Sequence, residues 1–209
     1  MNNFEILFEK KIQNILGELD PAHDLSHVKR VVSIAKRLSQ LENAKMEIVL
    51  PSAWLHDLVN LPKDHPERAS ASKLAASDAL SFLSEISYPS EHYKAISHAI
   101  EAHSFSANIV PRTIEAKVVQ DADRLDGLGA IGLARLFSIS TQLNRPFYSF
   151  ADPFAQNRVL NDKQFAIDHI EIKLKRVVEL MNTESAQIEA KRRFNFVVSF
   201  LKQLQSEID

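Results

Sequence analysis

Through most of the chain the apolar residues recur at steps of three and four, the spacing that gathers them on one face of an α-helix, rather than at the alternate positions of a strand. Phe4, Leu7, Phe8, Ile12 and Ile15 predict a first helix from about Asn3 to Gly17, stopped by Gly17 and Asp20-Pro21. A second runs from about Asp24 to Leu41. Its stripe of Val31, Ile34, Leu38 and Leu41 continues back to His27, so that histidine lies on the face that enters the core. A third covers about Lys45 to Leu58, with Pro51 either near its start or kinking it. The polar stretch Asn60 to Arg68, with Pro62 and Pro66, reads as a loop. Further helices are expected over about Glu67 to Ile86, Ser90 to His103, Pro111 to Asp126 and Gly129 to Leu143. Asn144 to Asn161 reads as a long ordered loop or lid. Asp162 to Met181 and Thr183 to Ile208 read as a closing pair of long helices. The expected fold is an all-α helical bundle with a C-terminal helical hairpin, forming one domain over residues 1–209.

Composition narrows the chemistry. The chain has no cysteine, which excludes disulfides and thiolate chemistry and leaves nitrogen and oxygen donors for any metal. A net charge of −2 with interspersed signs offers no cationic surface for duplex nucleic acid. No apolar run approaches the roughly 20 residues that span a bilayer, so no membrane partner is expected and the cytoplasm is the default address.

The sharpest local signal is His56-Asp57, two ligand-type side chains ending the apolar run Ala53-Trp54-Leu55. Neighbouring helix positions point about 100° apart, so an ion between helices can receive both. An isolated His-Asp pair is more commonly a core histidine followed by a capping aspartate, and alone it decides nothing. The constellation changes that: His23-Asp24-Leu25-Ser26-His27, then His56-Asp57, then Asp121-Ala122-Asp123-Arg124-Leu125-Asp126, on successive helices. In order and context this resembles the HD superfamily of metal-dependent phosphohydrolases, from about His23 to Arg135. The longer runs around Leu55 to Lys63, His103 to Ser106 and Gln120 to Ala130 resemble bacterial HD proteins of the YedJ and YpgQ kind.

The resemblance implies an HD-domain helical bundle whose motif-bearing core covers about 20–135, with a helical extension over 136–209. It implies His27, His56, Asp57 and Asp123 as ligands of one divalent cation. Asp121 and Asp123, about 200° apart on a helix, cannot readily face one ion together. Asp123, in Ala-Asp-Arg-Leu, is the choice, and Asp121 is expected in a surface ion pair with Arg124. Two imidazoles and two carboxylates suit manganese, iron, cobalt or nickel, with magnesium and zinc compatible. Such an ion acidifies water and polarises a phosphoryl oxygen, so the implied reaction is hydrolysis of a phosphoester or phosphoanhydride, with a nucleotide, up to a nucleoside triphosphate, as substrate.

Lys63, Arg68 and Arg124 are the candidate cations for the phosphate, and His103 the candidate histidine lining the pocket. Several nucleotide-cleaving HD proteins carry a glutamate three residues after the motif aspartate, where this chain has Asn60. An amide cannot move a proton as a carboxyl can. The catalytic candidates beside Asp57 are therefore Asp126 and Lys63, or else the leaving group is as good as pyrophosphate or a nucleoside phosphate. His98 or His103 could serve a second metal, which would fit a dinuclear iron oxygenase instead; the bland reading makes His98 exposed. A noncatalytic metal-binding regulator is the third reading. A homodimer is the assembly compatible with these expectations.

Overall fold

The computed structural model describes residues 3–15, 25–59, 61, 65, 67–104 and 107–208. Among these there is no strand. The α-helices run α1 Asn3–Ile15, α2 Leu25–Leu41, α3 Met46–Leu55, α4 Ala71–Glu85, α5 Tyr93–His103, α6 Ile114–Asp126, α7 Gly129–Gln142, α8 Lys175–Glu179 and α9 Glu184–Ile208. Single 3₁₀ turns at Arg68–Ser70 and Ser90–His92 lead into α4 and α5. None of these helices is long and apolar enough to cross a membrane. The chain divides into two compact units, residues 1–123 and 124–209, with the boundary inside α6.

In the first unit α3 packs against α1, α2, α4 and α5. Its sequence explains that position: every residue from Ile48 to Leu55 is buried, and a helix apolar all round is stable only when surrounded. Pro51 sits inside α3 rather than at its start. A proline has no N–H, so the carbonyl four residues back, that of Glu47, loses its helical donor. The Tyr88 hydroxyl donates to that carbonyl at 2.7 Å. Burial, and then the nearby Glu47, push the Tyr88 phenol up to about 12, so it stays a donor. The Tyr88 ring stands 4.8 Å from Phe4 and 5.9 Å from Phe8 of α1, the helix whose Phe8 and Ile12 enter the core.

The structure ends α3 at Leu55, three residues before the expected Leu58, so His56 and Asp57 occupy the turn that follows it. Helix α6 begins at Ile114 rather than Pro111. Three helices end on a left-handed residue other than glycine. Asn43, Ser87 and Asn144 have φ of 53°, 56° and 50° after α2, α4 and α7. The next residue in each case bonds back to the carbonyl five before it, as Ala44 does to Ser39, Tyr88 to Leu83 and Arg145 to Ser140.

In the second unit α9 packs on α7 and α8. The first arm of the C-terminal hairpin is shorter than expected, a π-helical turn Ile170–Leu174 running into α8, instead of a helix from Asp162. The amides of Ala166 and Ile167 bond to the carbonyls of Pro146 and Phe147, which diverts donors a helix there would need. The stretch from Asn144 to Asn161 is an ordered loop. Arg158 is its centre, forked onto the buried Asp168 at 2.5 and 2.7 Å, lying 4.5 Å from the Phe165 ring, and donating to the Asp152 carbonyl. At the entry to α7, Gly132 runs against Gly127: a Cβ there would stand 2.2 Å from the Gly127 carbonyl oxygen.

Candidate metal centre

Helix ends create the imidazole geometry. The last carbonyls of a helix have no intrahelical donor. Because α3 stops at Leu55, the Ala53 carbonyl is available to the ring of His56, whose Nδ1 lies 2.9 Å away. At the end of α5 the His103 Nδ1 lies 2.6 Å from the Ile100 carbonyl in the same three-residue arrangement. A carbonyl only accepts, so each Nδ1 carries the hydrogen and each Nε2 faces away from its own helix. His27 enters from α2 at 1% exposure, on the buried face that its stripe predicts.

These side chains converge with two carboxylates of the first unit. Ligand atoms of His27, His56 and Asp57 all lie within 4.8 Å of one another. Asp57 Oδ2 stands 3.4 Å from His56 Nε2 and 3.7 Å from His27 Nε2. Asp123 Oδ1 is 3.5 Å from His27 Nε2 and 4.0 Å from His56 Nε2. The imidazoles are buried, whereas the side chains of Asp57 and Asp123 are 19% and 30% exposed. The cluster is therefore walled by imidazole on one side and reachable past carboxylate on the other.

The electrostatics follow from this crowding. Burial by itself raises the Asp57 carboxyl, but the charge of His56 and the imidazoles of His103, His27 and His56 crowded against it outweigh that and hold the group well below its ordinary range. Burial lowers His103, yet its hydrogen bond to Asp57, the charges of Asp57 and Asp123 and the Ile100 carbonyl together raise it.

A divalent cation fits the donors present. His56 Nε2 is buried and has no hydrogen-bond partner, a costly state for an imidazole lone pair unless something electrophilic meets it. Two imidazole nitrogens and two carboxylate oxygens form a set suited to a transition-series divalent ion.

Other expected residues fall elsewhere. Asp121 is fully buried, not on the surface in a solvated ion pair with Arg124. Gln120, Asp121 and Ala122 are consecutive buried positions, so α6 is covered on the Asp121 side too, which facing on a single helix does not predict. Arg124 and Asp126 belong to the second unit. There Arg124 donates to the Leu180 carbonyl at 2.6 Å, and Asp126, 1% exposed, accepts from Arg135 at 2.8 Å. A carboxylate so paired is an acceptor, which argues against Asp126 as a proton donor. Lys63 and Asn60 lie outside the described residues, and the Arg68 guanidinium donates to the Leu61 carbonyl.

His98 is half-buried rather than exposed. Its Nε2 accepts from the Arg112 amide at 2.9 Å, so of the two extra histidines only His103 joins the cluster. One contributor that the sequence does not announce is Gln120, which donates to the Ala102 carbonyl at 2.6 Å and steadies the last turn of α5. A polar residue on an otherwise apolar helix face is its only signal in the sequence.

The family model described as HD domain matches residues 24–128. Over 201 residues the chain is 33% identical to the protein YpgQ of Bacillus subtilis, covering 94% of this chain and 90% of that protein. The crystal structure of Bacillus subtilis YpgQ in complex with ADP is similar with a TM-score of 0.75 and 30% identity, over 98% of this chain and 100% of that one. An HD-superfamily hydrolase from Bacillus thuringiensis is similar with a TM-score of 0.76 and 30% identity, over 98% and 96% of the two chains.

Proposed function

The chain belongs to the HD domain family, and from that premise we propose that it is a metal-dependent phosphohydrolase acting on a nucleotide, with His27, His56, Asp57 and Asp123 holding one divalent cation. The observation that carries this reading is the buried, unpartnered Nε2 of His56 turned toward Asp57 Oδ2 and Asp123 Oδ1. A divalent ion held there supplies Lewis acidity toward water and toward a phosphoryl oxygen. The chain's own contribution is arrangement. Ala53 fixes the tautomer of His56, and the two half-open carboxylates leave one side of the cluster accessible to a ligand.

A nucleotide is favoured because the relative YpgQ has been crystallised with ADP. Asn60 stands in place of a glutamate and Asp126 is committed to Arg135, which removes the two carboxyl positions considered for protonating a poor leaving group. This supports cleavage of a phosphoanhydride or release of a nucleoside phosphate over an alkoxide. For the dinuclear oxygenase reading, His98 is taken by the Arg112 amide, which leaves His103 alone to serve a second metal.

The test is to load the purified chain with manganese, supply nucleoside mono-, di- and triphosphates, and resolve the products as phosphate or pyrophosphate. Metal-dependent turnover absent from a His56→Ala, Asp57→Ala double variant is expected. Turnover equal in the two proteins would refute the proposal, and a metal-loaded protein inactive on every nucleotide would favour the regulator.

A further inference from the structure

Between Arg145 and Lys175 the second unit carries four carboxylates, and each is engaged. Asp152 accepts from the amides of Gln156 and Asn157, and Asp162 faces His169 Nδ1 at 3.1 Å. Asp168 is taken by Arg158 and the Asn161 amide, and Glu171 by Lys175 at 3.0 Å. None of these bonds goes to Arg145 or Lys173. Arg145 is half-buried, and its Nε is buried with no hydrogen-bond partner. Lys173 is exposed.

The backbone brings these two cations to one place. The carbonyls of Pro146 and Phe147 accept the amides of Ala166 and Ile167, each at 3.0 Å, which lays Arg145 alongside the segment leading to His169. Lys173 follows His169 by four residues, in the π-helical turn Ile170–Leu174, and so stands on the same side of it. The His169 imidazole feels both charges: burial lowers it, Asp162 opposes that, and Lys173 and Arg145 add to the lowering. A guanidinium nitrogen buried without an acceptor is costly. An oxyanion supplies the missing acceptor. The guanidinium offers parallel donors that match pairs of phosphate oxygens, and the ammonium adds a point charge. Two cations suit an anion that carries close to two charges at neutral pH, as a phosphate group does.

We propose that Arg145 and Lys173 form a binding site for a phosphate-class oxyanion, in which Arg145 gives directed hydrogen bonds and Lys173 a second positive charge. The site is built from residues of the second unit alone and needs no metal ion.

Titration calorimetry of inorganic phosphate, and separately of ADP, into the purified full-length chain stripped of metal by a chelator tests it. Expected is one phosphate per wild-type chain. Arg145→Gln should bind at least about tenfold more weakly, Arg145→Lys should lie between it and wild type, and Lys173→Met should also weaken binding. Saturating phosphate should raise the pH at which His169 titrates, followed by proton NMR with His169→Asn assigning the signal, because the anion offsets two nearby cations. Binding of ADP through the same residues where phosphate fails would make a nucleotide's phosphate the occupant. Absence of saturable binding of either compound overturns the inference, as does affinity unchanged in both Arg145→Gln and Lys173→Met. If Arg145→Gln lowers the thermal midpoint, Lys173→Met at its exposed position decides: unchanged affinity there, with His169 unmoved by phosphate in the wild type, overturns it.

Discussion

Replacing Tyr88 by Phe removes one oxygen and leaves the ring against Phe4 and Phe8, so it isolates the bond to the Glu47 carbonyl. That carbonyl is the one Pro51 deprives of a helical donor. A buried carbonyl left unsatisfied costs about 1–3 kcal/mol. Glu47 is exposed as a residue, so water can replace part of the bond and the lower end, about 1 kcal/mol, is expected. In a domain of this size that corresponds to about 2–4 °C in Tm. Pro51→Ala restores an N–H that can reach Glu47, so in that background Tyr88→Phe should cost about half as much or less. Thermal unfolding of wild type, both single variants and the double variant closes the cycle. Equal costs for Tyr88→Phe in the wild-type and Pro51→Ala backgrounds would show that the hydroxyl does not compensate the proline.

Two further outcomes are expected. Asp123→Ala should abolish stoichiometric manganese binding, measured by calorimetry, with little change in Tm, because its side chain is partly open; Asp121→Ala, emptying a fully buried position, should instead lower stability by about 1–3 kcal/mol. Metal loss in Asp121→Ala at unchanged Tm would reverse the two roles. On α9, hydrogen bonds from Arg192, opposed by partial burial and reinforced by Arg193, pull the Glu189 carboxyl from its ordinary 4.5 down to about 2. A depressed carboxyl stabilises the fold above its unfolded value and loses that effect as pH falls through the folded one. Glu189→Gln should therefore cost less than about 1 kcal/mol of stability at pH 6 for so open a pair, read as a slightly lower Tm, and the gap to wild type should close between about pH 4.5 and 2. A gap that persists at the acid end would contradict this.

How much of this could be read from the residues depended on whether a signal was periodic or local. His27 is legible because the apolar stripe of α2 runs through it, and a buried polar residue on such a stripe calls for a partner. The all-helical class follows from the same periodicity. The end of α3 is not legible, since Leu55 and Leu58 are both apolar and only the geometry of the turn separates them. Helix stops at Asn43, Ser87 and Asn144 escape a search for glycine because polar residues take the left-handed position there. The burial of Asp121 is a tertiary fact: its helix is covered on more than one side, and the alternation of Asp121 and Asp123 records only that they face apart. The shortened hairpin arm escapes for a similar reason, because Pro146 and Phe147 supply acceptors from a distant part of the chain.

The contact of His56 with Ala53, matched beside it by that of His103 with Ile100, bears on the entropy of binding the proposed cation. A side chain that must be immobilised when a ligand arrives subtracts about 0.5–1.5 kcal/mol from the binding free energy. Here each ring is locked by a carbonyl only three residues away, so that ordering cost falls on folding, where it is spread over the whole cooperative transition. The cluster is in this sense preorganised, and substitutions elsewhere that loosen the ends of α3 or α5 would surface first as weaker metal retention at unchanged stability.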